Sequence, residues 1–259
     1  MVVEQMAMIA KTEGIPAFGI GPASEMADAP PGFRPADFIT DARSIICFGI
    51  PIPRDVFKAP AYGLEITWRS QNLLYRRLDT LALRLANFLE QNGARALPIY
   101  GCMPLGVNEN GTVVGYVNQI RMAEITGIGS IGKNGLLLNS RYGPRLMLGG
   151  LLTTADLPSM RYPEDERPVC PPHCRICSDG CPVAAIMPER RQVKIMRCLR
   201  YTARTPMMSR LKFLYLRARN PKAAARYMSI TAFDEHTFHI CSKCIEECPM
   251  GGPPPGGSA

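Results

Sequence analysis

Residues 170–182 read CPPHCRICSDGCP, and residues 241–249 read CSKCIEECP. In the first stretch Cys174, Cys177 and Cys181-Pro182 have the C-x2-C-x3-C-P spacing of bacterial iron–sulfur proteins, and Cys170 stands one residue farther upstream than the usual x2 gap. The second stretch repeats C-x2-C-x3-C-P through Cys241, Cys244 and Cys248-Pro249, with Cys198 between the two. These eight thiolates are enough for two [4Fe–4S] clusters. In two-cluster ferredoxins the cysteine before the proline serves the cluster of the opposite motif. That rule assigns Cys170, Cys174, Cys177 and Cys248 to one cluster, and Cys181, Cys198, Cys241 and Cys244 to the other. Structural zinc would suit paired C-x2-C knuckles but leaves the two C-x3-C-P endings unexplained. A disulfide framework needs an oxidising compartment. Residues 1–11, MVVEQMAMIAK, carry Glu4 where a secretion signal would want positive charge, so a cytoplasmic location is expected.

The remaining cysteines, Cys47 and Cys102, lie outside this cluster of residues. Cys47 sits in an apolar run and reads as a small buried hydrophobe. Cys102 follows a strand end. His173, within the first motif, reads as a surface residue beside the cluster loop.

Upstream of the cysteines the pattern is that of a folded α/β domain. SIICFGIPI (44–52) is a buried strand, and residues 70–92 are an amphipathic helix through Leu74, Leu78, Leu81, Leu85 and Phe88 or Leu89, closed by Gly93. Further strands are expected at AFGIG (17–21), RALPIY (95–100), GLLLN (135–139) and RLMLGGLLTT (145–154). ENGTVVGYV (109–117) reads as a turn and strand, and NQIRMAEIT (118–126) as a helix. Helices alternating with apolar strands predict an α/β domain over residues 1–158. A polar, proline-containing segment follows, then a cysteine-rich domain over 159–250 and a Gly/Pro tail, 251–259, expected to be disordered.

Charge is unevenly spread in a chain of 259 residues with formal net charge +8. Residues 190–227 hold twelve Arg or Lys and no Asp or Glu. Such a block is either a solvated basic surface or a docking face for an anionic partner, such as an acidic electron donor of the flavodoxin or ferredoxin kind. Arg197, Arg200 and Arg204 would also offset the negative charge of the clusters. The longest apolar runs are about half the ~20 residues of a membrane span, so no membrane partner is expected.

Residues 127–135, GIGSIGKNG, match G-x-G-x-x-G and most of the phosphate-binding loop. Both motifs require a strand before the loop and a helix after it, so that helix N–H groups face a phosphate. Here a helix enters and a strand leaves. Asn134 also replaces the Ser or Thr that would hold magnesium. A nucleotide is therefore disfavoured. The glycines then read as a cradle for a larger ligand or as a tight turn that binds nothing.

ITGIGSIGKNGLLLNSRYGPRLMLGGLLT (125–153), with the cysteine order and RCLRYT (197–202), resembles the corrinoid iron–sulfur reductases, namely the epoxyqueuosine reductases and the catalytic subunits of reductive dehalogenases. The resemblance runs over about residues 1–250. It implies a nitroreductase-like α/β domain holding cobalamin, followed by a two-cluster bacterial ferredoxin-like domain with a basic helical insert. Gly129, Ile131, Gly132, Lys133 and Asn134 would lie against the corrinoid, with Arg141, Tyr142 and Gly143 nearby. Electrons would pass from the clusters to the corrinoid and on to a small organic substrate.

No acid lies between Asn110 and Arg121, where epoxyqueuosine reductases carry an aspartate proton donor, and Tyr116 is the nearest proton-bearing group. A phenol of pKa ~10 can serve as a proton donor, as in dehalogenases, so Tyr116 is the expected catalytic residue. The chain ends eleven residues after Cys248, without the helical repeats of epoxyqueuosine reductases, and this ranks a tRNA substrate below a small molecule. A cobalamin-free iron–sulfur electron-transfer protein is the alternative.

Overall fold

A computed structural model describes residues 2–59, 62–101, 105–107, 113–115, 117–162, 170–204, 206–220, 223–224, 227, 238–239 and 241–250. The part of the chain before the cysteine motifs contains α1 (Val2–Thr12), β1 (Ala17–Pro22), α2 (Pro35–Phe38), β2 (Ser44–Pro51), α3 (Gly63–Gln91), β3 (Ala96–Ile99), β4 (Leu105–Val107), β5 (Val113–Gly115), α4 (Gln119–Ile125), β6 (Ser130–Ile131), β7 (Leu137–Leu138) and β8 (Leu146–Thr153). The main sheet has the order β1-β2-β8-β3, and every neighbouring pair is antiparallel. The alternation of helices and strands thus yields a mixed α/β fold, without parallel strands among the described residues.

Both faces of this sheet are covered by helices, which explains why β2 and β8 read as continuous apolar runs rather than alternating ones. On one face Ile46, Phe48 and Ile50 pack with Met6 and Ala10 of α1 and Leu78, Leu81, Leu85 and Leu89 of α3. On the other, Ile45 and Cys47 pack with Met122, Ala123 and Ile125 of α4. Two adjacent glycines of β8 set the spacing of the layers. A Cβ on Gly149 would lie 3.1 Å from Leu78 Cβ, and one on Gly150 would lie 2.5 Å from Ile46 O and 2.8 Å from Met122 Cε. Each glycine lets one helix layer approach the sheet.

Helix α3 begins at Gly63, seven residues before the start expected from its apolar period. Its first turns bury Thr67 alone and leave Leu64 and Ile66 exposed, so they carry no core stripe for the periodicity to reveal. The expected C-terminus is borne out: Gly93 has φ +82°, and the N–H groups of Gly93 and Ala94 return to Glu90 O and Leu89 O. The strand expected over 135–139 is reduced to Leu137–Leu138, paired with Ser130–Ile131 in a small hairpin. Residues beyond 158 still belong to this layer, because Met160 pairs with Ile20 and the Tyr162 N–H donates to Thr126 O.

The cysteine-rich part contains α5 (Ile176–Asp179), β9 (Ile186–Met187), β10 (Gln192–Val193), α6 (Ile195–Thr202), β11 (Ala203–Arg204), α7 (Met207–Arg219), β12 (Phe238–His239) and α8 (Lys243–Glu246). The strands form two short antiparallel pairs, β9–β10 and β11–β12. Helices α5 and α8, one from each cysteine motif, pack against each other. Among the described residues no helix is long and apolar enough to cross a membrane.

Candidate functional site

The two cysteine motifs fold alike. In each, one helical turn occupies the x-C-x-x segment: α5 spans Ile176–Asp179 and α8 spans Lys243–Glu246. The chain then turns back through Cys181 N–H to Ser178 O at 3.3 Å in the first motif and Cys248 N–H to Ile245 O at 3.4 Å in the second. Cys198 is presented from α6, whose first turn is closed by its own N–H to Lys194 O at 3.1 Å. All eight thiols are free and half-buried.

Electrostatic neighbours sort the thiols into two adjoining groups, with Cys177 of the first also acting on Cys244 of the second. Burial raises the Cys177 thiol above its ordinary range, and the charges of Cys170, Cys248 and Cys174 raise it further. Burial also raises Cys248, against a lowering hydrogen bond from the Met250 backbone, and Cys170 and Cys174 add to the rise. In the other group burial raises Cys198, a Thr202 hydroxyl bond opposes it, and Cys181 and Cys241 push it up. Cys244 is pushed up to about 12 by burial first and then by Cys198, Cys241, Cys177 and Cys181. Cys248 therefore neighbours the N-terminal motif, and Cys181 the C-terminal one. Bound iron would relieve repulsion of this kind, because its positive charge offsets the thiolates formed as ligation displaces the protons. Among the described residues no three His, Cys, Asp or Glu form a single-ion site. A cubane cluster needs none, since each of its thiolates binds a different iron.

Besides the Met250 backbone bond to Cys248, two further backbone N–H groups reach sulfurs. Ala185 N–H donates to Cys181 Sγ at 3.3 Å, and Lys133 N–H donates to Cys170 Sγ at 3.3 Å. Such bonds tune the potential of a bound cluster.

A cavity of about 820 Å³ lies between the second thiol group and residues of α4 and the β6–β7 hairpin, within the ~300–1,000 Å³ range of cofactor sites. Cys181, Cys198, Cys241 and Cys244 form one wall, and Asn118, Ile120, Glu124, Ile131 and Leu136 form the other. Glu124 is held in place by accepting the Ile131 N–H at 2.9 Å. A basic groove lined by Lys194, Arg197 and Arg200 adjoins the cavity through the shared Val183, Ile195 and Tyr201. Beyond it α7 leaves Met207, Met208, Leu211 and Tyr215 exposed alongside its arginines.

The glycine stretch has the expected setting, with α4 before it and β7 after it. Its glycines, however, face the chain itself. A Cβ on Gly129 would lie 2.2 Å from Leu138 O, and one on Gly132 would lie 2.7 Å from Asn134 Oδ1 and 2.8 Å from Leu138 Cγ. Gly127 and Gly135 have φ +77° and +71°, the turn conformations that favour glycine. Of the residues expected against a corrinoid, Ile131 and Asn134 line the cavity. Lys133 turns to the first cysteine loop, where its ammonium donates to Pro171 O, Pro172 O and Cys174 O. Arg141, Tyr142 and Gly143 form a separate turn outside the cavity lining, closed by Asn139 Oδ1, which accepts the N–H groups of Arg141 and Tyr142. Asn139 is fully buried and escaped sequence reasoning, because one asparagine in an apolar run carries no spacing signal. Tyr116 and Cys102 lie outside the described residues. His173 is exposed and Cys47 is fully buried, its thiol pushed up to about 12 by that burial, as expected of both.

No family model matches the chain. It is 35% identical over 188 residues to an epoxyqueuosine reductase of Lactococcus garvieae, covering 66% of this chain and 46% of that protein. It is 31% identical over 117 residues to a tetrachloroethene reductive dehalogenase of Desulfitobacterium hafniense, covering 45% of this chain and 19% of that one. The chain thus spans less than half the length of these relatives. Among solved structures, the epoxyqueuosine reductase of Streptococcus thermophilus aligns with a TM-score of 0.57 at 19% identity, over 95% of this chain and 65% of that one. An epoxyqueuosine reductase solved with a tRNA stem loop aligns with a TM-score of 0.51 at 18% identity, over 76% of this chain and 55% of that one. The chain is therefore similar in sequence to the epoxyqueuosine reductases and the reductive dehalogenases, the corrinoid iron–sulfur reductases that its motifs resemble, and it shares the fold of the solved epoxyqueuosine reductase.

Proposed function

We propose that the chain is a reductase with two [4Fe–4S] clusters, one on Cys170, Cys174, Cys177 and Cys248 and the other on Cys181, Cys198, Cys241 and Cys244, serving a corrinoid in the adjoining cavity. The observation that carries this reading is the cavity, in which the space among Cys181, Cys198, Cys241 and Cys244 would be filled by their own cluster and the part along the α4–β6 edge lies next to it. Ile131, Leu136 and Asn118 would form the apolar and polar contacts to the corrinoid. The corrinoid, when bound, supplies a low-potential metal centre for reducing a small organic substrate. This chain's own residues would exclude water from that space and hold the second cluster beside it. By resemblance Tyr116 would supply the proton.

Anaerobic reconstitution with hydroxocobalamin, followed by gel filtration and a visible spectrum, tests the proposal. Corrinoid absorbance is expected to travel with the iron-containing protein. Intact clusters without retained corrinoid would leave the electron-carrier alternative in its place.

The electron donor is proposed to be an acidic protein of the flavodoxin or ferredoxin kind, docking on the basic face formed by α6 and α7. Steering by such a face is ionic-strength dependent. Cluster reduction by such a donor is expected to slow about tenfold between low salt and ~0.15 M. A rate indifferent to salt would remove the basic face from the mechanism.

A second reading, a substrate carried on nucleic acid, is favoured by the groove of Lys194, Arg197 and Arg200 next to the cavity. Steeply salt-dependent binding of a tRNA stem loop that also stimulates turnover would raise it above the small-molecule reading.

A further inference from the structure

Lys133 and Asn134 are consecutive in sequence and reach different cysteine motifs. The Lys133 ammonium has three N–H donors, and it meets three carbonyls of the first loop: Pro171 O at 2.9 Å, Pro172 O at 2.5 Å and Cys174 O at 3.0 Å. Its backbone N–H donates to Cys170 Sγ. Asn134 is 3% exposed, and its Nδ2 donates to Cys244 O at 3.1 Å in the second motif. Its Oδ1 accepts the Leu136 N–H at 3.2 Å, which fixes the amide orientation. The space Asn134 Oδ1 occupies is the space a side chain at Gly132 would take.

We propose that Lys133 and Asn134 form a two-armed clasp in which the β6–β7 turn holds each cysteine motif separately, and that Lys133 raises the potential of the first cluster. The proposal rests on the two-cluster reading of the cysteines. It accounts for the departure noted in the first motif, where Cys170 stands one residue too far upstream. The lengthened gap holds Pro171 and Pro172, which have no N–H with which the loop can order itself. Within that loop the backbone closes only Cys174 N–H to Pro171 O, among the described residues, and Lys133 shares Pro171 O and takes up Pro172 O and Cys174 O.

The electrostatic consequence is asymmetric. Reduction adds negative charge to a cluster, and a fixed cation or an N–H···S bond stabilises the reduced form. The first thiol group has both from Lys133. The second has an N–H···S bond from Ala185 to Cys181 but no cation from the clasp, since Asn134 supplies only a neutral amide, bonded to a carbonyl rather than to sulfur. Lys133 and Asn134 are positioning residues here, since each acts through the loop it holds.

EPR-monitored redox titration of the reconstituted protein tests this, with Cys174→Ser used to assign which signal belongs to the first cluster. In Lys133→Gln the reduction equilibrium of that cluster is expected to fall about tenfold, which is ~59 mV for a one-electron couple, while the second cluster is unchanged. Lys133→Arg, which keeps the charge, should restore most of the shift. Selective loss of first-cluster iron from Lys133→Gln is the same result in stronger form. Asn134→Ala should destabilise only the second cluster, read as faster iron loss to a chelator. Unchanged potentials, or equal effects on both clusters, overturn the clasp. A wild-type protein that holds fewer than two clusters overturns the cluster reading and the clasp with it, and it does so before any variant is compared.

Discussion

Cys248→Ser is expected to remove the cluster of the N-terminal motif, not that of the motif in which it lies. Iron content should fall by about half, as one of two four-iron clusters is lost. The surviving EPR signal should be the one that also survives in Cys174→Ser, and it should be the signal lost in Cys244→Ser. The reason is spatial. The charges that raise the Cys248 thiol are those of Cys170 and Cys174, whereas Cys244 responds to Cys198 and Cys241. Serine keeps the shape of the side chain but is a poor iron ligand, so the loss reads ligation and not packing. If Cys248→Ser and Cys244→Ser remove the same signal, ligation is local to each motif and the crossed assignment fails. Cys177 contributes to the environment of Cys244, so the two groups adjoin. That adjacency is what electron passage between two clusters requires.

Gly129→Ala should cost the protein stability. The new Cβ would stand 2.2 Å from Leu138 O and 2.9 Å from Leu138 C, both backbone atoms that no rotamer change can move aside. Relief requires parting β6 from β7, whose register pairs Ser130 with Leu138. Overpacking of this severity costs about 3 kcal/mol, or roughly 10 °C in Tm for a domain of this size. The measurement is a thermal melt of the cluster-loaded protein under anaerobic conditions. The opposite result would be an unchanged Tm with loss of corrinoid retention, and it would mean that Gly129 faces a ligand. The same substitution thus separates the two meanings of a glycine-rich stretch. One makes room for a cofactor, and the other makes room for the rest of the chain.

These two tests bear on different kinds of information in the sequence. The cysteine spacing is a local chemical signal, legible without tertiary structure, and the C-P ending adds a geometric rule from which the crossed grouping is proposed. The apolar runs of β2 and β8 were legible for a similar reason, since burial on both faces leaves no polar position to interrupt them. Their pairing was not. β8 lies about a hundred residues after β2 in the chain, and nothing in either run states that they meet antiparallel. The early start of α3 was also hidden, because Leu64 and Ile66 are exposed and supply no periodicity.

By itself the sequence determined the eight thiols, their order, the buried strands and the inverted setting of the glycine stretch, all of which depend on spacing between near neighbours. Only the tertiary structure decided what the glycine stretch touches. Lys133 meets Cys170 across 37 residues of chain and Asn134 meets Cys244 across 110. Contacts over such separations are chosen by the packing of whole layers, and no local pattern encodes them.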